Sequence, residues 1–266
     1  MRNGRLSSLA GPSTSKMRGG AWLVAGLLLC VLLAGCGQNF GWYVVDPTLP
    51  GGRTNLSFMI SGFWYTILLS LISLAISIPV GLAVGLCGLS SNRLIKGFNR
   101  SYVEIVRAIP LLVLVLWVYY GLPEFDIRLD VFWSGVIGLA IGESAFQAEI
   151  FRGGIQSVPR GQIEAAKAIS LSRSDTMRFV ILPQAIKRIL PAMGNQFIYV
   201  VKMSSLVSVI GAPELTRKAG ELIVTEYRAL EIYTILALEY LVLVLILSAG
   251  VRWLERRLGA DERQAR

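Results

Sequence analysis

Long apolar blocks dominate this chain, and only a few architectures can accommodate them. Mostly apolar windows run roughly over residues 21–36, 60–86, 109–122, 131–150, 193–210 and 232–251. A helix needs about 20 such residues to cross hydrocarbon, where every backbone N–H and C=O must be satisfied within the protein. Of the 266 residues, 54% are hydrophobic and only 16% are charged, against roughly a quarter charged in a soluble domain. The expectation is an all-α integral membrane protein with about six transmembrane helices, five in a core and one N-terminal. Pro79 lies inside the second window, which membrane helices tolerate where neighbours satisfy the freed backbone groups.

The net charge of +9 has two physical readings, nucleic acid or basic cytoplasmic loops. With a cytoplasmic N-terminus and six crossings, the outer segments hold only five basic residues: Arg53, Arg128, Arg217, Lys218 and Arg228. They also hold Asp46, Glu124, Asp126, Asp130, Glu214, Glu221, Glu226 and Glu231. That asymmetry predicts a multi-pass protein of the bacterial inner membrane with both termini cytoplasmic, and it accounts for the charge without nucleic acid. The outer acids are read as solvated or as facing a binding protein. No histidine is present, and Cys30, Cys36 and Cys87 show no metal-ligand spacing, which argues against a metal site or a histidine-based triad. No phosphate-binding loop of the Gly-x-x-x-x-Gly-Lys-Ser/Thr type exists, so no cofactor or ATP site is expected in this chain.

Residues 1–20 read as a cytoplasmic tail, 21–57 as an N-terminal transmembrane helix and outer loop, 58–255 as the transmembrane domain and 256–266 as a second tail. Two alternatives stand for the N-terminus. Leu33-Ala34-Gly35-Cys36 resembles a lipobox, where cleavage would leave a lipidated Cys36; the same residues also suit an intact first helix. Trp22, Trp42, Tyr43, Trp64 and Trp253 fall near span ends, as in an interfacial aromatic belt.

Between the fourth and fifth windows lies a charged insert, "GQIEAAKAISLSRSDTMRFVILP". Pro159 suits a first helical turn with Ser157 as a cap, and Ile163, Ala166 and Ile169 fall near one face. Ser174 and Asp175 read as a second helix start, with the helix ending at Pro183. A charged helical elbow of this kind belongs outside the hydrocarbon, on the membrane surface or docked on another protein.

These residues carry a resemblance. Glu164, Ala165, Ala166, Leu182 and Pro183 match the spacing of the Glu-Ala-Ala loop of permease subunits in bacterial ABC importers. Residues 101–123, 145–162 and 190–211 resemble the polar amino-acid branch of that family, and the likeness covers roughly residues 61–251. Ser170 stands where glycine is usual and Val180 where isoleucine is usual. A non-glycine at a left-handed turn costs about 1 kcal/mol.

The resemblance implies the type I ABC importer permease fold. It also implies coupling of Glu164, Ala165, Ala166, Ser170, Leu182 and Pro183 to separate ABC ATPase subunits. An extracytoplasmic solute-binding protein and either a second copy or a paralogous permease subunit would complete the assembly in the lipid bilayer. Both alanines would allow close approach of the ATPase. Substrate would be a polar amino acid, with glutamate or aspartate first and other polar or basic amino acids or their derivatives as alternatives.

Ionisable groups at membrane depth mark functional positions. Glu143, Glu149, Lys202 and Glu239 qualify. Glu143 is the pathway residue expected to meet a substrate ammonium, with Asn195, Gln196, Ser204 and Ser205 supplying hydrogen bonds and Lys202 on the same span. Glu149–Arg152 and Glu104–Arg107 read as structural ion pairs. The rival readings are a secondary carrier, which would show paired inverted halves, and a membrane-embedded enzyme, which would need a convergent nucleophile and base.

Overall fold

In the computed structural model the described residues run from 40 to 257, so the N-terminal window, Cys36 and the last nine residues lie outside them. Residues from Trp42 onward form one compact helical unit. A 3-10 turn (Trp42–Val45) leads into α1 (Pro50–Ile60) and α2 (Gly62–Gly88). Next come α3 (Arg93–Ala108) and α4 (Leu111–Leu116), the latter extended by π and 3-10 turns to Phe125. The long helix α5 (Val131–Gln156) precedes the short α6 (Arg160–Ala168). One turn (Arg173–Asp175) and a π-helix (Thr176–Ile181) then run into α7 (Leu182–Met203) and a 3-10 stretch to Ile210. Helices α8 (Leu215–Glu226) and α9 (Ala229–Arg257) close the chain.

The α2 sequence dictates which of its faces is inside. Its buried positions include Thr66, Ser70, Ser73, Ser77, Gly81, Gly85 and Gly88, spaced three or four apart. Its exposed positions include Leu68, Leu71, Ile76, Val80, Leu82 and Leu86. Helix α9 likewise exposes Leu238, Leu241, Val242, Leu245 and Ile246. A water-soluble protein would reverse this arrangement. Here lipid is the solvent, and helices associate through small residues that let backbones approach. The buried hydroxyls are satisfied within their own helix, Ser70 donating to the Thr66 carbonyl and Ser73 to that of Leu69, both at 2.7 Å.

The α2–α5 contact is the most extensive in the fold. A Cβ on Gly81 would lie 2.4 Å from the Gln147 Cβ, and one on Gly85 would lie 2.7 Å from the Ala148 carbonyl oxygen. Two described helices are long and apolar enough to cross a membrane alone, and up to four cross if each bent pair counts as one span. The most buried long helix, α5, falls outside that count because the polar residues along it lower its mean hydropathy. Its buried residues include Glu143, Ser144 and Gln147.

The two ends of the unit differ in chemistry. At one end Asn55 donates to the Val44 carbonyl (3.0 Å) and to Glu226 (3.1 Å). Nearby, Asp46 accepts from the Thr48 hydroxyl (2.7 Å) and amide (2.8 Å), which holds its carboxyl below the ordinary range. The other end gathers the end of α2, the charged α3 and the foot of α5. There Glu149 pairs with Arg152 at 2.6 Å, as expected. Glu104 pairs with Arg100 at 2.8 Å and not with Arg107, whose guanidinium lies 4.8 Å from the Phe146 ring centre. The i,i+4 spacing lets Arg100 reach Glu104, while the Phe146 face holds Arg107.

Replacing Gly81 by valine should prevent α2 and α5 from closing, whereas Gly153→Ala, with nothing within 4 Å of its Cβ, should be tolerated. Thermal unfolding in detergent tests this: the expected loss for Gly81→Val is about 3 kcal/mol or more, with no loss for Gly153→Ala.

Candidate functional site

The charged insert forms a closed elbow outside the spans. Helix α5 breaks at Ser157-Val158-Pro159, where Val158 is buried and the Arg188 guanidinium of α7 donates to the Ser157 carbonyl. Ser157 does not cap α6. Its hydroxyl donates to the Gly154 carbonyl at 2.6 Å, and the capping position is Pro159. Helix α6 ends in a reciprocal turn, with Leu171 N–H on the Ala166 carbonyl (3.0 Å) and Ser170 N–H on that of Lys167 (2.9 Å). This is the pattern of a Schellman cap, and it requires a left-handed residue at Ser170, where φ is +58°. The position where the family prefers glycine is therefore the left-handed position, occupied here by serine with the turn intact.

The second helical start is two residues earlier than expected. Ser172 is the cap, accepting from the Asp175 amide at 3.1 Å while its hydroxyl donates to the Asp175 carboxylate at 2.6 Å. The helix does not stop at Pro183. The wider π turn over Thr176–Ile181 precedes the proline, and the helical path continues to Ile210. Pro183 has no N–H to place on a carbonyl four residues back, and its ring would crowd that carbonyl in a regular α-helix, so the widened turn absorbs both effects.

Residues of the elbow divide by exposure. Ala166 is buried where α6 packs on the π-helical segment, so of the two alanines only Ala165 faces outward. Ile169 does not share Ala166's face, because α6 ends at Ala168 and leaves Ile169 73% exposed. Glu164, Leu182 and Pro183 are exposed. Among the described residues Glu164 has no hydrogen-bond or ion-pair partner.

Five of the six residues expected along a substrate path fall into two groups. The first is internal. Glu143 on α5 is 1% exposed, and its Oε2 accepts from the Gln196 amide of α7 while Oε1 has no partner among the described residues. One turn below, Gln147 is 0% exposed, and both atoms of its amide lack a partner among the described residues. Beside them the Tyr102 and Ser144 hydroxyls are 2.6 Å apart. The second group lies on the outside of α7. Asn195 and Lys202, seven residues apart, are exposed on one stripe with half-buried Ser205 close to it. Asn195 donates to the Pro191 carbonyl at 3.2 Å and Ser205 to that of Lys202 at 2.8 Å. Ser204 belongs to neither group; it is buried and donates to the Val201 carbonyl. Glu143 therefore meets Gln196 but not Asn195, Lys202, Ser204 or Ser205.

Gln147 was not among the expected residues, although its spacing of four from Glu143 places both on one face of α5. Glu214 was grouped with the solvated outer acids, yet it is fully buried. It caps α8 through the Arg217 amide (2.7 Å) and accepts from the Tyr240 hydroxyl (3.0 Å). The next amide, Leu215, reaches the Thr66 hydroxyl of α2 at 3.3 Å. Glu231 is also buried.

Comparison with known proteins places this geometry. Residues 77–260 match the family described as the binding-protein-dependent transport system inner membrane component. The probable glutamine ABC transporter permease protein GlnM of Bacillus subtilis is 42% identical over 204 residues, covering 77% of this chain and 94% of that one. The glutamine transport system permease protein GlnP of Escherichia coli is 38% identical, with 83% and 99% coverage. The arginine transport system permease protein ArtQ of Bacillus subtilis is 34% identical, with 85% and 100% coverage. A crystal structure of an amino acid ABC transporter with histidines superposes with a TM-score of 0.74 at 43% identity, covering 77% of this chain and 96% of that one. The inward-facing methionine transporter MetNI has the same fold at a TM-score of 0.67, with 22% identity and 76% and 96% coverage.

Ser170→Gly should relieve the left-handed strain and tighten the elbow by about 1 kcal/mol. Hydrogen exchange should show about fivefold greater protection of the Leu171 amide, with the spans unchanged.

Proposed function

The chain belongs to the family of binding-protein-dependent transport system inner membrane components, and from that premise we propose that it is the permease subunit of an ATP-driven importer for polar amino acids. Its relatives are named as permease proteins, so it is a transport subunit and not an enzyme. Such a permease works with an ATPase and a solute-binding protein. Two relatives named for glutamine and one for arginine turn the substrate reading toward glutamine-like amino acids and away from glutamate or aspartate.

The observation that carries the coupling role is α6, an exposed helix at the end of a span with no partner for Glu164 among the described residues. In this reading α6 seats in a groove of the ATPase. Ala165 allows close approach, Glu164 meets a basic group, and Ile169 adds an apolar contact. Ala166 and Ser170 shape the elbow from within. Leu182 and Pro183 carry its movement into α7, and the Arg188–Ser157 bond ties the foot of α5 to the same lever. Closure of paired ATPases then tilts α5 and α7 together and alternates access. The elbow and both termini face the cytoplasm, a placement supported by the concentration of Lys and Arg at that end.

The polar stripe on α7 supports a second subunit, either another copy or a paralogous permease. The lipid-facing stripes of α2 and α9 are Leu, Ile and Val, whereas Asn195 and Lys202 would be costly against acyl chains. We assign that stripe to a water-accessible path shared with the partner. Glu143, held by Gln196, is the group that receives the substrate ammonium.

Two substitutions separate the coupling and substrate roles. Glu164→Ala should leave membrane insertion intact, cut uptake more than tenfold and weaken co-purification with the ATPase. Glu143→Gln should leave ATPase association unchanged and raise the half-saturation for uptake about tenfold, the loss of one charge-assisted hydrogen bond. Normal uptake by the Glu164 variant would defeat the coupling role.

The stripe is tested in a cysteine-free background. Asn195→Cys should react with a membrane-impermeant thiol reagent in reconstituted vesicles and Leu245→Cys should not; equal reactivity of the two would refute the assignment.

A further inference from the structure

We propose that the cleft between α3, the end of α2 and the foot of α5 binds the headgroup of an anionic phospholipid. The cleft has a volume of about 500 Å³ and a buried floor at Asn99, whose amide donates to the Val84 carbonyl at 2.8 Å. Lys96, Arg100, Arg107 and Arg152 line it together with Glu104 and Glu149. The carboxylates are already engaged, Glu104 by Arg100 and Glu149 by Arg152. Two positive charges are left over. Lys96 has no carboxylate partner among the described residues, and Arg107 rests on the Phe146 ring. A cleft of this charge accepts an anion.

The geometry of α3 sets the height of that anion. Lys96, Arg100 and Arg107 repeat at i, i+4 and i+11, which is one face of a helix. Leu94, Phe98 and Ile105 repeat at the same spacing, displaced by two residues and therefore on the opposite face. All three are exposed, Leu94 at 85% and Ile105 at 61%. The helix bends by 94° from the span Leu111–Phe125 that follows. If that segment crosses the bilayer, α3 lies along its surface. Its apolar stripe then sinks about 5–10 Å into the headgroup and acyl boundary, which leaves the basic stripe on the water side, from where the long Lys and Arg side chains reach back to the headgroups. The apolar stripe thereby anchors α3, and with it the cleft, at the lipid surface, where headgroup phosphates are concentrated. Basic pockets between membrane helices take such headgroups.

Native mass spectrometry of the purified full chain, without ATPase, tests the site with phosphatidylglycerol and phosphatidylcholine as probes. The wild type should keep phosphatidylglycerol at collision energies that remove phosphatidylcholine. Lys96→Glu, at an exposed position, should lower that retention at least fivefold, and Lys96→Gln/Arg107→Gln should lower it further, with unfolding temperatures unchanged. Retention that ignores lipid charge, or is equal in wild type and Lys96→Glu, overturns the proposal. So does competition by soluble glycerol phosphate at the same concentration as the lipid, which would mark a free-anion site. Unchanged lipid retention in the variants, together with weaker co-purification of the ATPase in a separate pull-down, would instead make the cleft an acidic-protein dock. The readout needs no coupling through α6, so its failure leaves the transport reading intact.

Discussion

A hydrocarbon solvent cannot hydrogen-bond a backbone or a hydroxyl, and it gives no hydrophobic reward for packing one apolar side chain on another. Both facts act at the α2–α5 contact. Gly81 and Gly85 bring the two backbones close enough that a single added Cβ would collide, so the contact gains its energy from dense packing. The serines along the same stripe bond to carbonyls of their own helix and ask nothing of the partner. Everything else in the fold is placed relative to this pair. Helix α3 packs across its basic end, α7 lies along α5, and the buried cap of α8 reaches α2 through Thr66.

The same constraint explains why the elbow lies outside. Residues 157–175 break helical hydrogen bonding twice, at Pro159 and at the left-handed Ser170, and each break frees polar groups that only water or a protein partner can satisfy. The chain minimises the damage. Ser172 caps the restart, the reciprocal turn closes on Ala166 and Lys167, and the π segment carries the helix past Pro183. The result is a short, rigid protrusion joined to two spans, one through the Arg188 contact and the other through continuous helix. A rigid arm of that kind transmits displacement, which is the property the proposed coupling requires.

Much of this was legible in the sequence. The windows at 60–86, 131–150, 193–210 and 232–251 fall on helices, as does 109–122 from Leu111 onward, because apolar length is a strong signal. The elbow was legible because charge and proline cannot enter lipid cheaply. What escaped depended on distances between helices. Nothing local says that Ala166 turns inward while Ala165 faces out, or that Arg107 prefers the Phe146 face to Glu104. Glu214 looked solvated because it lies in a segment between helices, but its capping bond and Tyr240 draw it inside. Lys202 and Gln196 share a helix with Asn195, yet a step of one residue turns Gln196 toward Glu143 while seven residues, close to two full turns, keep Lys202 beside Asn195.

That division of α7 bears on transport itself. A helix with one polar face and lipid on every side would be unstable, so the polar face on the outside of α7 supports the second subunit proposed above. Glu143 and Gln147 present the same condition from within, since both keep acceptors or donors that no described residue satisfies. Inside a bilayer such groups persist where water, a substrate or a second protein surface can reach them. The two groups lie on successive faces of one helix pair, α5 and α7, and that pair is joined at its foot to the elbow. Movement of the elbow therefore acts directly on the two helices that carry the unsatisfied polarity, without needing to pass through the lipid-facing α2 and α9.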